Sequence, residues 1–433
     1  MTMKPGIKSI KTFGIMLACV VMASILGTLL LCGAYLLPTE PMEKNVRKSA
    51  EIFVRENTYP ELYSWCTSTL DNFTDAYMLL EASDHSEGTV LERALRNDPG
   101  ICVLDPRKVL TDHYIEEEPL PEGVGYPRYW HGYEIWLKPL LSLTGYAGIR
   151  IIRGIYQAAL VILVCFLLYR KKVKRAILPL VLCYLMMMPV VLARNMEMSG
   201  CFGVTMWTLA ALLLLKDRRK ISFLFLLAGI ATAFFDFSTY PTLTFTMPAV
   251  LHFTMNPPEN WKETLRWFVR IGVSWVVGFA GMWAMKWALA TLVTGENVFA
   301  DALNQIQVRT SDMHQDYVTH VSFFECAARN ILWFIRTPAT ALAGLFCVWC
   351  VLPFGKKGKK GRDAGRTLPV LPYVLAALVP FAWFALTINH SYMHIFFVCK
   401  TLAGPMFAGM VWLTGIWNYK RRSFDSASPK MTM

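Results

Sequence analysis

Asp71 and Asp75 lie four residues apart in the stretch LDNFTDAYMLLEA (70–82). With apolar residues at Tyr77, Met78, Leu79 and Leu80 the stretch reads as an amphipathic helix lying at the membrane interface, and on it that spacing puts both carboxylates on one face. Like charges so placed call for a cation, a hydrogen-bonded partner or a raised pKa. The chemistry open to them is that of a general base, or of ligands to a divalent cation such as Mg or Mn. The plainer alternative makes Asp71 a helix N-cap and Asp75 a solvated first-turn residue.

Four further groups of residues could carry chemistry. YPRYWHGYEIWLKPLLSLTGY (126–146) interleaves Arg128, His131 and Glu134 with Tyr129, Trp130 and other rings. Flat aromatic faces stack on sugar rings and Arg or His can hold a phosphate, so the composition suits a sugar-phosphate ligand, although a solvated loop end also accounts for it. FFDFSTYPT places Asp236 at the end of an apolar run, followed by Tyr240, and a carboxylate at membrane depth points to function unless it caps a helix or reaches the interface. In ARNMEM, Arg194 and Glu197 are expected to pair with each other. TINHSYMHIFFVCK sets His390 and His394 one turn apart with Lys400 deeper in the segment. These three are expected to face a lipid-linked phosphate, with zinc as a weaker option and pairing or snorkelling as the plain reading of Lys400. The loop 294–329 carries Arg309, Asp312, His314, Asp316 and His320 and reads as short amphipathic helices able to close over a site. P-loop, dinucleotide and HExxH signatures are absent.

The elements that must position these residues are set by hydropathy. Apolar residues make up 55% of the 433, and they are gathered into runs long enough to cross a bilayer as helices. The chain therefore reads as an all-α integral membrane protein with about ten transmembrane helices and a large external first loop containing amphipathic helices. A basic N-terminus (1–12) precedes a first helix at 13–37, too long for a signal-peptide core; an external loop follows at 38–140, then a bundle at 141–417 and a tail at 418–433. Further spans are expected near 145–169, 176–193, 201–215, 221–239, 241–255, 268–292, 330–353, 368–388 and 393–417. The net charge of +12 comes from short blocks such as RKKVKR, KDRRK and KKGKKGR in alternate connections, the last within the linker 354–367. That pattern argues for a multi-pass protein of the cell membrane with both termini cytoplasmic, and against nucleic acid as a partner. The polar groups then gather at the external face. Most of the eleven cysteines sit in apolar runs, whereas Cys66 and Cys102 share the external loop, where they either form a disulfide, given an oxidising compartment, or stay as two unpaired thiols.

This order of elements is similar to the GT-C superfamily of polytopic glycosyltransferases, and NHSYMHIFF, DFSTYPTLT and YPRYWHGY look like segments of uncharacterised bacterial membrane proteins of that broad class. The resemblance implies a polyprenyl-phosphate sugar donor, a glycan or lipid acceptor of the cell envelope, and a catalytic carboxylate in the first external loop, by position Asp71 or Asp75. It also implies that cations such as Arg128, Arg309, His390 or Lys400 stabilise the departing lipid phosphate. LDNFTD departs from the pattern in lacking an adjacent acidic pair and in lying further from the first helix. The rival readings are a flippase or transporter of a lipid-linked sugar, a polysaccharide polymerase or ligase, and a purely structural membrane protein.

Overall fold

The segment Lys11–Tyr35 runs for 25 residues at a hydropathy that favours a helix whose side chains can face lipid. In the computed structural model, which describes residues 5–83, 86–97, 105–121, 125–312, 320–352 and 369–425, it belongs to helix α1 (Pro5–Tyr35). Met22, Leu26 and Leu29 stand exposed on its outer side.

The first loop folds into five helices: α2 (Glu40–Glu56), α3 (Asn72–Ala82), α4 (Val90–Arg96), α5 (Pro106–Tyr114) and α6 (Glu134–Leu143). The amphipathic member is α2, whose Met42, Val46, Ala50 and Phe53 recur at helical spacing and are buried while its charges face out. They form one apolar core with Leu79 and Leu80 of α3, Leu110 of α5 and Leu137 and Leu141 of α6. The expectation of an amphipathic interfacial helix over 70–82 is therefore corrected. α3 is buried on nearly all sides, Asp75 and Glu81 included, because α2, α5 and α6 enclose it.

The remainder is a bundle: α7 (Tyr146–Arg170), α8 (Ile177–Met186), α9 (Pro189–Arg194), α10 (Ser199–Leu214), α11 (Ile221–Phe235), α12 (Leu243–Met255), α13 (Trp261–Thr294), α14 (Val298–Thr310), α15 (Phe323–Ile335), α16 (Pro338–Val351), α17 (Leu371–Leu386), α18 (Ile388–Met393), α19 (Ile395–Val398) and α20 (Ala403–Asp425). Among the described residues the only β contact is a bridge between Glu61 and Thr69. Four helical segments are long and apolar enough to cross a membrane, namely Lys11–Tyr35, Tyr146–Arg170, Trp261–Thr294 and Ile395–Gly415. The α15–α16 pair, bent by 92°, makes a fifth if it is one span.

The difference from ten spans has local causes. Pro189, with Met188 at a φ of 59°, splits the expected 176–193 helix into α8 and α9. The 330–353 segment breaks ahead of Pro338, and the apolar helices α10, α12 and α17 are shorter than a full span. α11 and α13 make the most extensive helix contact, and it depends on two glycines. A Cβ on Gly229 would lie 2.1 Å from the Trp275 carbonyl oxygen, and one on Gly278 would lie 2.2 Å from that of Leu226.

Candidate functional site

Asp71 is the N-cap of α3. The Thr74 N–H donates to its Oδ1 at 3.0 Å and the Thr74 hydroxyl to its Oδ2 at 2.9 Å. Its own N–H donates to Asn195 Oδ1 at 2.6 Å, across 124 residues of chain. Asp75, one turn on, returns the bond: its carboxylate accepts the N–H of Met196 at 2.8 Å and that of Glu197 at 3.4 Å, and the Tyr146 hydroxyl also donates to it. Side chain holds backbone in both directions, so the start of α3 and the turn 195–197 form a clasp.

The clasp brings Glu197 against Asp71. Their buried carboxyls interact directly, and the Thr74 hydroxyl donates to Asp71. Two buried carboxyls in contact cannot both stay ionised, so one of them is neutral. Burial, and then the charge of Asp71, push Glu197 well above the usual carboxylate range. Asp71 is raised by burial too, but backbone donors at Thr74 and Phe73 and the Thr74 hydroxyl favour its charge. The proton therefore sits on Glu197 and the charge on Asp71. Asp75 faces away from the pair, its carboxyl raised to about 6 by burial against the opposing pull of Arg153 and Tyr146.

Asp71 and Glu197 open into a cavity of about 540 Å³. Its opposite wall is cationic and aromatic. Arg128 pairs with Asp301 at 2.7 Å and lies 4.1 Å over the Tyr126 ring. Arg309 lies 5.5 Å over Tyr129, and Tyr126 and Tyr129 stack at 5.3 Å. α14, which lies in the 294–329 loop, supplies both Asp301 and Arg309 to this wall. His390 Nε2–H donates to the Ser238 carbonyl at 2.9 Å, and the His390 and His394 rings lie 4.9 Å apart.

Four polar atoms of residues lining this cavity are buried and incompletely satisfied: Tyr77 OH, Arg128 Nε and His390 Nδ1 have no hydrogen-bond partner, and Glu197 Oε1 meets no N–H or O–H donor. Burying such groups costs free energy unless a ligand or water completes them.

The structure thus gathers Asp71, Arg128, Tyr129, Arg309, His390 and His394 around one cavity and places the other candidates elsewhere. Trp130 is a core ring whose Nε1–H donates to the Met282 carbonyl at 2.7 Å. His131 is bonded to Glu81 at 2.8 Å and to the Tyr126 carbonyl at 3.0 Å, beneath the cavity floor. Glu134 lies 3.7 Å from Lys138 inside the outer core. Asp236 accepts the Thr239 N–H at 2.8 Å and the Thr239 hydroxyl, fixing the turn that carries Phe237 and Ser238. Tyr240 donates to the Met198 carbonyl, and Lys400 donates to the Met187 carbonyl at 3.2 Å where α8 ends.

Two roles change with these positions. The histidines do not face a phosphate as cations: burial and then Arg309 hold His394 down to about 4, and burial, Arg309 and His394 hold His390 well below its ordinary value. Both are neutral acceptors. Asp71 and Asp75 do not converge on a common cation; the facing oxygens are those of Asp71, Glu197 and Thr74. Among the described residues no group of three His, Cys, Asp or Glu side chains is placed to hold a metal. Glu197 meets Asp71 and not Arg194. Cys66 is buried, while Cys102, His314 and Asp316 lie outside the described residues.

Nothing in the sequence marks Tyr77 or Asn195 as site residues, and for Glu197 it offers Arg194 as the partner. A lone acid in NMEMSG between two apolar runs was the available signal for Glu197, and only the fold reveals its partner. No family model matches this chain, and neither a curated protein nor a solved structure is significantly similar to it.

Proposed function

We propose that the protein is a membrane glycosyltransferase that moves a sugar from a polyprenyl-phosphate donor to a cell-envelope glycan or lipid hydroxyl, at a site on the outer face. The observation that carries this reading is one cavity lined by two buried carboxyls, Asp71 and Glu197, by two arginines, and by buried donor and acceptor atoms between aromatic rings. A sugar hydroxyl both donates and accepts, so a sugar ring answers Tyr77 OH, Arg128 Nε and His390 Nδ1 together while its face meets Tyr126 or Phe237.

The chemistry follows from the positions. The Asp71 carboxylate takes the proton of the acceptor hydroxyl as that oxygen bonds to the anomeric carbon. The bond from that carbon to the phosphate oxygen breaks, and the electron pair leaves with the lipid phosphate. Arg128 and Arg309 stabilise the charge that builds there. Neutral Glu197 leaves the charge of the pair on Asp71.

The apolar helices support a membrane-delivered donor, and the GT-C resemblance with about ten passes and cytoplasmic termini belongs to the same reading. Short helices such as α8 with α9 or α10 then count as broken or partial passes. The test is sugar transfer in proteoliposomes from a panel of polyprenyl-phosphate sugars. Transfer lost in Asp71→Asn with donor binding kept supports the reading. Donor bound and moved between leaflets without transfer identifies a flippase instead.

A further inference from the structure

A second cavity, of about 730 Å³, lies outside the clasp where the C-terminal ends of α2 and α9 meet the first turns of α7. Its polar end is formed by Arg55, Glu56, Arg150 and Arg194, and its apolar end by residues such as Ile151, Tyr184 and Val190. Arg150 is committed: it bonds Glu56 through both terminal nitrogens at 2.7 Å, the Tyr146 hydroxyl at 3.0 Å and the Arg194 carbonyl at 3.1 Å. Glu56 is thereby neutralised within the cavity. Arg55 and Arg194 are exposed, and the Arg55 Nε–H donates to the Glu51 carbonyl at 3.3 Å. Three guanidinium groups against one carboxylate leave this end with an excess of positive charge.

Depth orders the two ends. Arg150 lies one turn into the membrane-crossing helix α7, and Ile151 and Gly154 follow it downward at about 1.5 Å per residue. Ile151 and Val190 both line the cavity and are exposed. Cationic groups at the interface above an apolar channel match an anionic headgroup above its acyl chain.

We infer that this cavity binds a membrane glycerophospholipid of net negative headgroup, its phosphate held by Arg55 and Arg194 and one acyl chain laid along Ile151, Gly154 and Val190. Charge complementarity favours it over a zwitterionic lipid, and the channel beneath favours a lipid over a free anion.

Native mass spectrometry of the full chain in detergent, with phosphatidylglycerol and phosphatidylcholine at equal concentration, tests the inference without reference to any transfer activity. The wild type is expected to retain phosphatidylglycerol in preference, by roughly fivefold for each contributing arginine. The double variant Arg55→Gln/Arg194→Gln, altered only at exposed positions, is expected to lose the preference. Gly154→Leu, which fills the channel and leaves the charges, is expected to lower retention of phosphatidylglycerol while circular dichroism is unchanged. Equal retention of the two lipids by wild type, an unchanged preference in the double variant, or displacement of phosphatidylglycerol by equimolar inorganic phosphate each overturns it.

Discussion

Replacing each aspartate of the opening pair by asparagine separates the two roles that the geometry assigns. Asparagine caps a helix about as well as aspartate: Asp71→Asn keeps the bond from the Thr74 N–H, the Thr74 hydroxyl turns to accept from the new amide, and stability shifts by less than about 1 kcal/mol. The substitution removes the base, and transfer is expected to fall about 10²–10⁴-fold with donor binding retained. Asp75 is different because its buried carboxylate accepts two backbone N–H groups and the Tyr146 hydroxyl. An asparagine there offers one acceptor oxygen, and its amide N–H groups must face at least one existing donor. With charge-assisted bonds worth about 1.5–3 kcal/mol, the loss of stability is expected to be about 2–4 kcal/mol. Glu197 moves with its turn, and a displacement of about 1 Å costs up to about 10²-fold in turnover. The assay pairs initial transfer rates in proteoliposomes with denaturation of the same preparations in detergent. An Asp75→Asn protein as stable as wild type but inactive, beside an Asp71→Asn protein that is unstable but active, would refute the assignment of base and brace.

Other outcomes follow from the same site. Glu197→Gln keeps the shape of the pair but removes its titrating proton: a carboxyl raised above its ordinary value of 4.5 contributes stability that is present in full below that value and is lost as pH rises through the raised one, so the variant's melting temperature is expected to depend less on pH above about 4.5 than that of wild type. Arg309→Gln is expected to weaken binding of a polyprenyl-phosphate donor about tenfold while leaving a neutral sugar unaffected, as read by titration with each. Because burial holds His394 to about 4 and His390 well below its ordinary value, donor affinity measured between about pH 7 and pH 5.5 is expected to show no strengthening from histidine protonation. Gly229→Val is expected to prevent α11 and α13 from closing and to abolish the folded, detergent-stable protein, as read by size-exclusion chromatography.

The sequence made the helical class, the first long helix and the gathering of polar groups at segment junctions legible, because hydropathy and charge are local. Asp71 as a cap and the contribution of 294–329 to a site were legible for the same reason. What stayed hidden was pairing. Asp75 looks like Asp71 in LDNFTDA, and only the approach of Met196 and Glu197 turns one into a brace and the other into a member of a carboxyl pair. Trp130 and Lys400 have the composition of ligand residues, yet they spend their polar atoms on the carbonyls of Met282 and Met187. A window of apolar residues is blind to a break such as that at Met188 and Pro189, so hydropathy does not separate a straight pass from a broken one.

The clasp between α3 and the turn 195–197 also has a consequence for how the molecule is made. The residues at its two sides are separated by 124 positions, so at roughly 5–20 residues per second the ribosome delivers Asn195 some 6–25 s after Asp71. Through that interval the first loop has its own apolar core but lacks the partner that completes its acids. The cavity, lined by residues from Tyr59 to Phe397, is thus incomplete during synthesis until the later helices dock.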